Sequence, residues 1–507
     1  LNTERFNHKT INDPVHGPIR LSKTEVEIIN TPSFLRLRHL RQLGLSYLVF
    51  PGATHTRFAH SIGTLHIMSR LIEAICDDCK RQGLGKSEAP ILDSKEQQKL
   101  RLAALLHDIG HYPLSHTTEG VFYKFHEETD SQKADFEEPD SQKADSEEPD
   151  ADPNYLQTIA DVTAYEEVKH EEFGKIVVKK RNDIKNILSK AGFDPIEIGK
   201  IFTKDRILED GKHIPPLYSQ LISSSLDADR LDYLLRDSYY TGVPYGHIDL
   251  NFIIGNLKFD NDEKLFAIDY KGIPCFEHYL IARYFLYNVT YHKTVVGLEL
   301  MAKTLYYLMA KDKCAIGDFN ELTSKIGKEE FFIEYNDSYF WNCLTKWNPK
   351  NNTYSQKLKA AFIKRTPLRL IFEERHLIDR NEKDVDNKFR ILTKNNLNKH
   401  DGFKNTFEKF HIDSNNVIIT SNKIEFESQP PLQDHKAKSD DDKGLFLGKV
   451  YENYQFKDLI DVEHSIIREL SQKTQHIRRL YFFNKDNIDI NRKAFDKALR
   501  REFEIPA

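Results

Sequence analysis

Long apolar runs are missing from this chain of 507 residues. No window of about 18 consecutive apolar residues occurs, so no helix able to cross a bilayer is expected. Leu1 to Asp13 is polar and charged and lacks the apolar stretch of a secretory signal, which makes a cytoplasmic location the expectation. Cysteine is scarce, five in all. An odd number in a chain this size argues against a disulfide framework, and Cys76 and Cys79, spaced as CxxC, have no second pair to complete a zinc site. They read as ordinary helix thiols. Apolar residues reach only 39 %, below the roughly 45–50 % of an average globular chain, so part of the length must be solvated. Basic clusters are few as well: lysines and arginines are scattered apart from runs such as Lys179 to Arg181, and a nucleic-acid role would be secondary.

What is present is aromatic. The 32 Phe and 23 Tyr call for a substantial core, in a chain long enough for about three domains. The acids are concentrated. Glu127 to Asp152 carries 12 acids and 2 lysines, net −10, which leaves +5 for the remainder of a chain whose total is −5. Within it DSQKADFEEP, Asp130 to Pro139, is followed by DSQKADSEEP, Asp140 to Pro149, a repeat too polar to build a core and best placed on the surface. A second polar stretch with paired prolines, about 428–444, reads as a loop.

Helical patterning dominates the first 370 residues, with Ser94-x-x-Gln97 read as a capping box ahead of Leu100, Ala103, Ala104 and Leu106. Alternating segments at Val417 to Ile419, Ile424 to Phe426 and Leu480 to Phe483 read as strands. The expected fold is mainly α, with a helical core over 1–370 and a smaller α+β portion over 371–507.

Chemistry is concentrated in three helical stretches. LLHDIGHYPLSH, Leu105 to His116, sets His107 and His111 one helical turn apart with Asp108 beside the first. An imidazole and a carboxylate suit a divalent transition metal, but two ligands are too few. RFAHSIGTLHIM, Arg57 to Met68, holds His60 in an otherwise apolar helix. In SSSLDADRLDYLLRDSYYTG, Ser223 to Gly242, Asp229, Tyr233 and Asp237 fall on one helix face. Asp232 and Arg236 are expected to do no more than solvate that helix, which leaves Asp227 and Asp232 as poorer ligands than Asp229.

Taken together with INDPVHG, Ile11 to Gly17, and Thr31 to Thr64, these segments resemble the deoxynucleoside triphosphate triphosphohydrolase branch of the HD-domain phosphohydrolases. The resemblance runs from about Lys9 to Arg369 and returns only at Glu469 to Phe483, with no SAM domain expected ahead of it. It implies an HD-domain helical core with a divalent metal, Mn, Fe, Zn, Ni or Mg, on His60, His107, Asp108 and Asp229. His116 would protonate the departing sugar 5′ oxygen, oriented by Glu119, where the family often has Asp. His111 and His170 would approach the phosphates, which Arg57, Arg230 and Tyr233 would contact. Gln42 and Asp237 would hold the 3′-hydroxyl, Leu43 would exclude a 2′-hydroxyl, and Arg283 with Tyr291 or Tyr287 would close the pocket.

The implied partners are deoxynucleoside triphosphates and further copies of the chain, as a dimer or tetramer, in pool control or antiviral defence. Lys9 and Arg38 match activator contacts of the family's allosteric member. Asn30 and Leu35 replace the groups that read guanine there, so different or absent nucleotide activation is expected. Two other classes are weighed. The first is an HD phosphodiesterase or nuclease; the cyclic-dinucleotide and alarmone enzymes have an IGK run or an acidic ED pair where this chain has IGHYPLSH, and leave the Asp229 to Asp237 face unexplained. A nucleotide sensor would bind without hydrolysis.

Overall fold

In a computed structural model of the chain, residues 8–124, 166–203, 207–208, 211, 213–349, 353–379, 401–425, 449–453, 455–458, 462, 465–471, 473–484 and 488–503 are described. The acidic repeat and the polar loop at 428–444 lie outside them. The described fold is mainly α with a smaller α+β portion, as expected.

The chain opens with an antiparallel hairpin, β1 (Lys9–Asp13) and β2 (Gly17–Leu21), whose turn needs Gly17 at φ +71°. Helix α1 (Lys23–Ile29) begins with a reciprocal cap: Ser22 Oγ accepts from Glu25 N–H at 3.3 Å and Ser22 N–H donates to Glu25 Oε2 at 2.7 Å. After the short α2 (Pro32–Leu35), the long α3 (Arg57–Arg81) starts at Thr56, whose hydroxyl accepts from Ala59 N–H. Helix α4 (Ser94–Leu106) corrects the sequence reading. Its cap is Asp93, whose carboxylate accepts from Lys95 N–H at 2.7 Å. Ser94 is already helical, and the Gln97 amide is drawn away to Ile91 O.

Next come α5 (His116–Glu119), the two-residue antiparallel strands β3 (Tyr123–Lys124) and β4 (Glu166–Glu167), and α6 (His170–Lys180). Helix α7 (Ala228–Thr241) is capped by Asp227 and stops at Gly242 in the left-handed region. The hairpin β5 (Leu257–Asp260) and β6 (Leu265–Asp269) precedes α8 (Ile273–Thr290) and α9 (Lys293–Lys311).

The core of this part is a bundle. Leu65, Met68, Leu71 and Ile75 of α3 bury against Leu102, Leu105 and Leu106 of α4 and Leu231 and Leu234 of α7, each such side chain stabilising the fold by about 1.5–3 kcal/mol. Two glycines set how closely the elements meet. A Cβ on Gly63 would collide with Asp232 Oδ1 and Arg236 Nη2, and one on Gly110 with Gly174 N and His170 O. The first lets α7 lie against α3. The second lets α6 press onto the segment that follows α4.

In the α+β part, β11 (Lys473–Phe482) runs between β7 (Arg369–Asp379) and β8 (Val417–Glu425), antiparallel to both. Helices α10 (Asp401–Lys409) and α11 (Arg492–Glu502) cover it through Phe403, Phe407, Phe495 and Leu499. The separate segments expected at Val417 and Ile424 are one strand; Phe426 lies outside the described residues. A second sheet, in the order β10 (Gln455–Asp458), β9 (Lys449–Glu452), β6, β5, joins late residues to the helical part because β9 pairs parallel with β6. Cys76 and Cys79 are buried free thiols on α3. No helix of the described residues is long and apolar enough to cross a membrane.

Candidate active site

Four side chains from α3, the end of α4 and α7 converge. His60 is fully buried, and its Nε2 lies 2.9 Å from Asp229 Oδ1 and 3.6 Å from Asp108 Oδ2. His107 Nε2 stands 3.4 Å from Asp108 Oδ1 and 3.7 Å from Asp229 Oδ1. Ligands bound at about 2.1 Å to one ion sit roughly 3–3.5 Å apart, so the spacing suits a single cation.

The outer nitrogens settle how both rings present themselves. His107 Nδ1 bonds Ala104 O at 2.8 Å and His60 Nδ1 bonds Asp232 Oδ2 at 2.7 Å. With Nδ1 as donor, Nε2 turns its lone pair inward in each ring. His107 Nε2 is buried and has no hydrogen-bond partner among the described residues, as a metal ligand without its metal would be. The donor set, two imidazoles and two carboxylates, fits a divalent transition metal.

Charges within the cluster are mutually dependent. Burial opposes protonation of His60, yet Asp229, Asp232 and Asp108 outweigh it and push the imidazole up to about 10, so a bound cation would take the place of the proton on Nε2. Burial likewise raises the Asp108 carboxyl, but Arg57, His107 and His111 hold it well below the usual carboxylate range. Arg57 donates to Asp108 Oδ2 at 2.7 Å, Ser115 Oγ at 2.8 Å and Gln42 O at 3.1 Å.

Asp232 and Arg236 overturn their sequence reading: both are fully buried. Asp232 Oδ1 is 2.6 Å from His16 Nε2, and its two oxygens accept from Arg236 at 2.8 and 2.9 Å. Arg236 also donates to Asp13 at 2.8 and 3.2 Å, and Asp13 Oδ1 accepts from Val15 and His16 N–H. The Ile11 to Gly17 segment thus buttresses the carboxylate behind His60. An i, i+4 pair on α7 looks like surface charge in one dimension; only the approach at Gly63 buries it.

The segment after α4 is also corrected. The helix ends at Leu106, and His111 follows in tight turns instead of on the helix face. Arg36, fully buried, pins this turn by donating to Ile109 O at 3.2 Å and to His111 O. Leu114 and Ser115 then both take positive φ, 61° and 58°, a strain of about 1–3 kcal/mol each. Asp337 and Arg57 hold them there: Leu114 N–H donates to Asp337 Oδ1 at 2.8 Å, and Ser115 Oγ accepts from Arg57.

Beyond that kink His116 is largely exposed, and its Nδ1 is 2.6 Å from Glu119 Oε2. Glu119 Oε1 accepts from His170 N–H at 2.6 Å and lies 3.0 Å from His170 Nδ1. Burial raises the Glu119 carboxyl, but these bonds from His116 and His170 hold it well below the ordinary range. His170 stacks on His111 with ring centroids 3.8 Å apart. Burial keeps His111 neutral, reinforced by Arg57 and His170. His170 is raised, because Glu171, Glu119 and Asp108 outweigh its burial.

These groups face a cavity of about 460 Å³. Of the expected residues, Gln42, Leu43, Arg57, Asp108, His111, His116, His170, Asp229, Tyr233, Asp237, Arg283 and Tyr291 line it, as does Tyr287. His60, His107 and Glu119 stand behind that wall. Arg230 is not in the lining; its Nε turns to Asp227 Oδ2 at 3.3 Å. Asp227, a capping acid, has its carboxyl raised by burial to about 7. Sequence reasoning missed His55, whose Nε2 is 2.7 Å from Asp237 Oδ1, and Glu299, which also lines the cavity.

The HD domain family matches residues 57–151, a span that contains His60, His107 and Asp108. The chain carries an HD domain, with side chains able to hold a divalent metal. Its relatives include an uncharacterized protein of Methanocaldococcus jannaschii, 34 % identical over 58 % of this chain and 48 % of that protein. Another, from Mycoplasma pneumoniae, is 29 % identical over 69 % of each. The human deoxynucleoside triphosphate triphosphohydrolase SAMHD1 is 45 % identical over 114 residues, 22 % of this chain and 17 % of that enzyme. The chain spans about half the length of the first curated relatives it matches. In fold it resembles a hypothetical protein from Aquifex aeolicus, TM-score 0.61 at 24 % identity, covering 97 % of this chain and 99 % of that one.

Proposed function

We propose that the chain hydrolyses deoxynucleoside triphosphates to a deoxynucleoside and inorganic triphosphate. The observation that carries this is the meeting of His60, His107, Asp108 and Asp229 at one wall of a cavity also lined by cationic and sugar-sized polar groups. A divalent cation held by those four residues supplies Lewis-acid activation of water and of a phosphoryl oxygen.

The other residues then have separable tasks. Arg57 and Arg283 neutralise phosphate charge, helped by His170, whose protonation its acid neighbours favour, while Tyr233 and His111 contact the phosphates as neutral groups, with Arg230 reaching the outer phosphates only if it leaves Asp227. Gln42, whose buried Oε1 has no partner among the described residues, and Asp237, fixed by His55, take the 3′-hydroxyl. Leu43 fills the space a 2′-hydroxyl needs, discrimination of about a hundredfold at most. Water oxygen bonds to the α-phosphorus and gives up a proton to solvent as the bond to O5′ breaks, and His116, oriented by Glu119, delivers the proton that O5′ requires. Tyr287 and Tyr291 close the cavity mouth.

Oligomerisation is proposed with it, and nucleotide activation different from that of the allosteric relative or absent, since Asn30 spends its amide on Val26 O and Arg38 packs over Phe58 at 3.6 Å. Phosphorus NMR of a reaction with Mn²⁺ and a deoxynucleoside triphosphate tests the chemistry. Intact triphosphate supports it; pyrophosphate or orthophosphate as the first product refutes it.

A further inference from the structure

Beyond the cation and sugar groups, the cavity holds one acid that the proposed chemistry leaves without a task. Glu299 sits on α9 and lines the cavity with Leu43, Gly44 and Thr117. Helix α9 packs on α5, which brings Glu299 toward Thr117. Gly44 borders the same spot, since a Cβ built on it would lie 3.5 Å from Thr117 Oγ1. Thr117 Oγ1 is buried and makes no well-aligned hydrogen bond among the described residues.

No cation among the described residues compensates Glu299, and burial pushes its carboxyl up to about 8, with only Thr117 opposing. A carboxyl in that setting is short of donors. With the phosphates at the histidines and the sugar on Leu43, the next group along a nucleotide is its base. The base therefore passes Gly44 and Thr117 and meets Glu299.

We propose that Glu299, supported by Thr117, reads the edge of the base and selects guanine. Guanine presents two adjacent donors, N1–H and N2–H, that match the two oxygens of the ionised carboxyl, so its binding favours loss of the Glu299 proton to solvent, whereas the neutral acid makes no such distinction. Adenine and cytosine set an acceptor beside their donor, and thymine flanks its single N–H with two acceptors. A site built for donors rejects a base that lacks them, because its own polar group is then left unpaired. This inference rests on the triphosphohydrolase reading.

Specificity constants for dGTP and dTTP, measured for the wild type and Glu299→Gln with Mn²⁺, test it. The expected result is at least a tenfold preference for dGTP in the wild type, reduced about tenfold or more in the variant. Thermal melting of the variant should match or exceed the wild type, since no ion pair is broken. A wild type without guanine preference, or an unchanged dGTP/dTTP ratio in Glu299→Gln, overturns the assignment. Should the wild type release triphosphate from neither nucleotide, the hydrolase reading fails separately. Equilibrium binding of dGTP and dTTP to the two proteins in Ca²⁺ then decides: tighter dGTP binding lost in the variant upholds base reading, and equal affinities refute it.

Discussion

At the level of single residues, the decisive group is one that carries no ligand atom. Asp232 accepts from His60 Nδ1 on one side and is held by His16 and Arg236 on the other. Asp232→Asn keeps the shape but removes the charge that fixes the ring and balances Arg236. Metal affinity should fall about tenfold to a hundredfold, as it does when the partner of a ligating histidine is lost. Folding stability should drop by about 3 kcal/mol, since a buried charge loses one of its two acids. Competition with a fluorescent chelator and a denaturant titration read the two effects, and unchanged metal affinity would reduce Asp232 to a purely structural role. The sequence hid this residue because i, i+4 spacing to Arg236 is what a solvated ion pair also shows. Asp229 was legible for the opposite reason: with Tyr233 and Asp237 it repeats at a spacing that only a shared face explains.

Among elements, the site depends on three close approaches. Gly63 admits α7 to α3, Gly110 admits α6 to the end of α4, and the positive φ of Leu114 and Ser115 swings His116 back over the cavity. Gly63→Ala would press a methyl group into Asp232 and Arg236, and because both are packed on all sides the helix must move. A loss of about 3 kcal/mol or more is expected, read as a lower melting temperature, and a variant as stable as the wild type would show that α7 has room to yield. Helices α3, α4 and α7 were legible from apolar periodicity. The kink was not, because neither Leu nor Ser signals a left-handed backbone; it exists through Asp337, far along the chain. The same distance hides the strand pairing of β6 with β9, which no local pattern reports.

On the scale of the whole molecule, the helical bundle supplies the walls of the cavity, from residues as far apart as Gln42 and Glu299. The central claim is that this architecture assembles a binding place for a single divalent cation. Elemental analysis after loading with Mn²⁺ and exhaustive dialysis tests that most directly, on the wild type beside Asp108→Asn and Asp229→Asn. About one ion per chain in the wild type, with little in either variant while both remain folded, is the predicted result. A wild type that retains no metal, or variants that keep as much of it, would contradict the account.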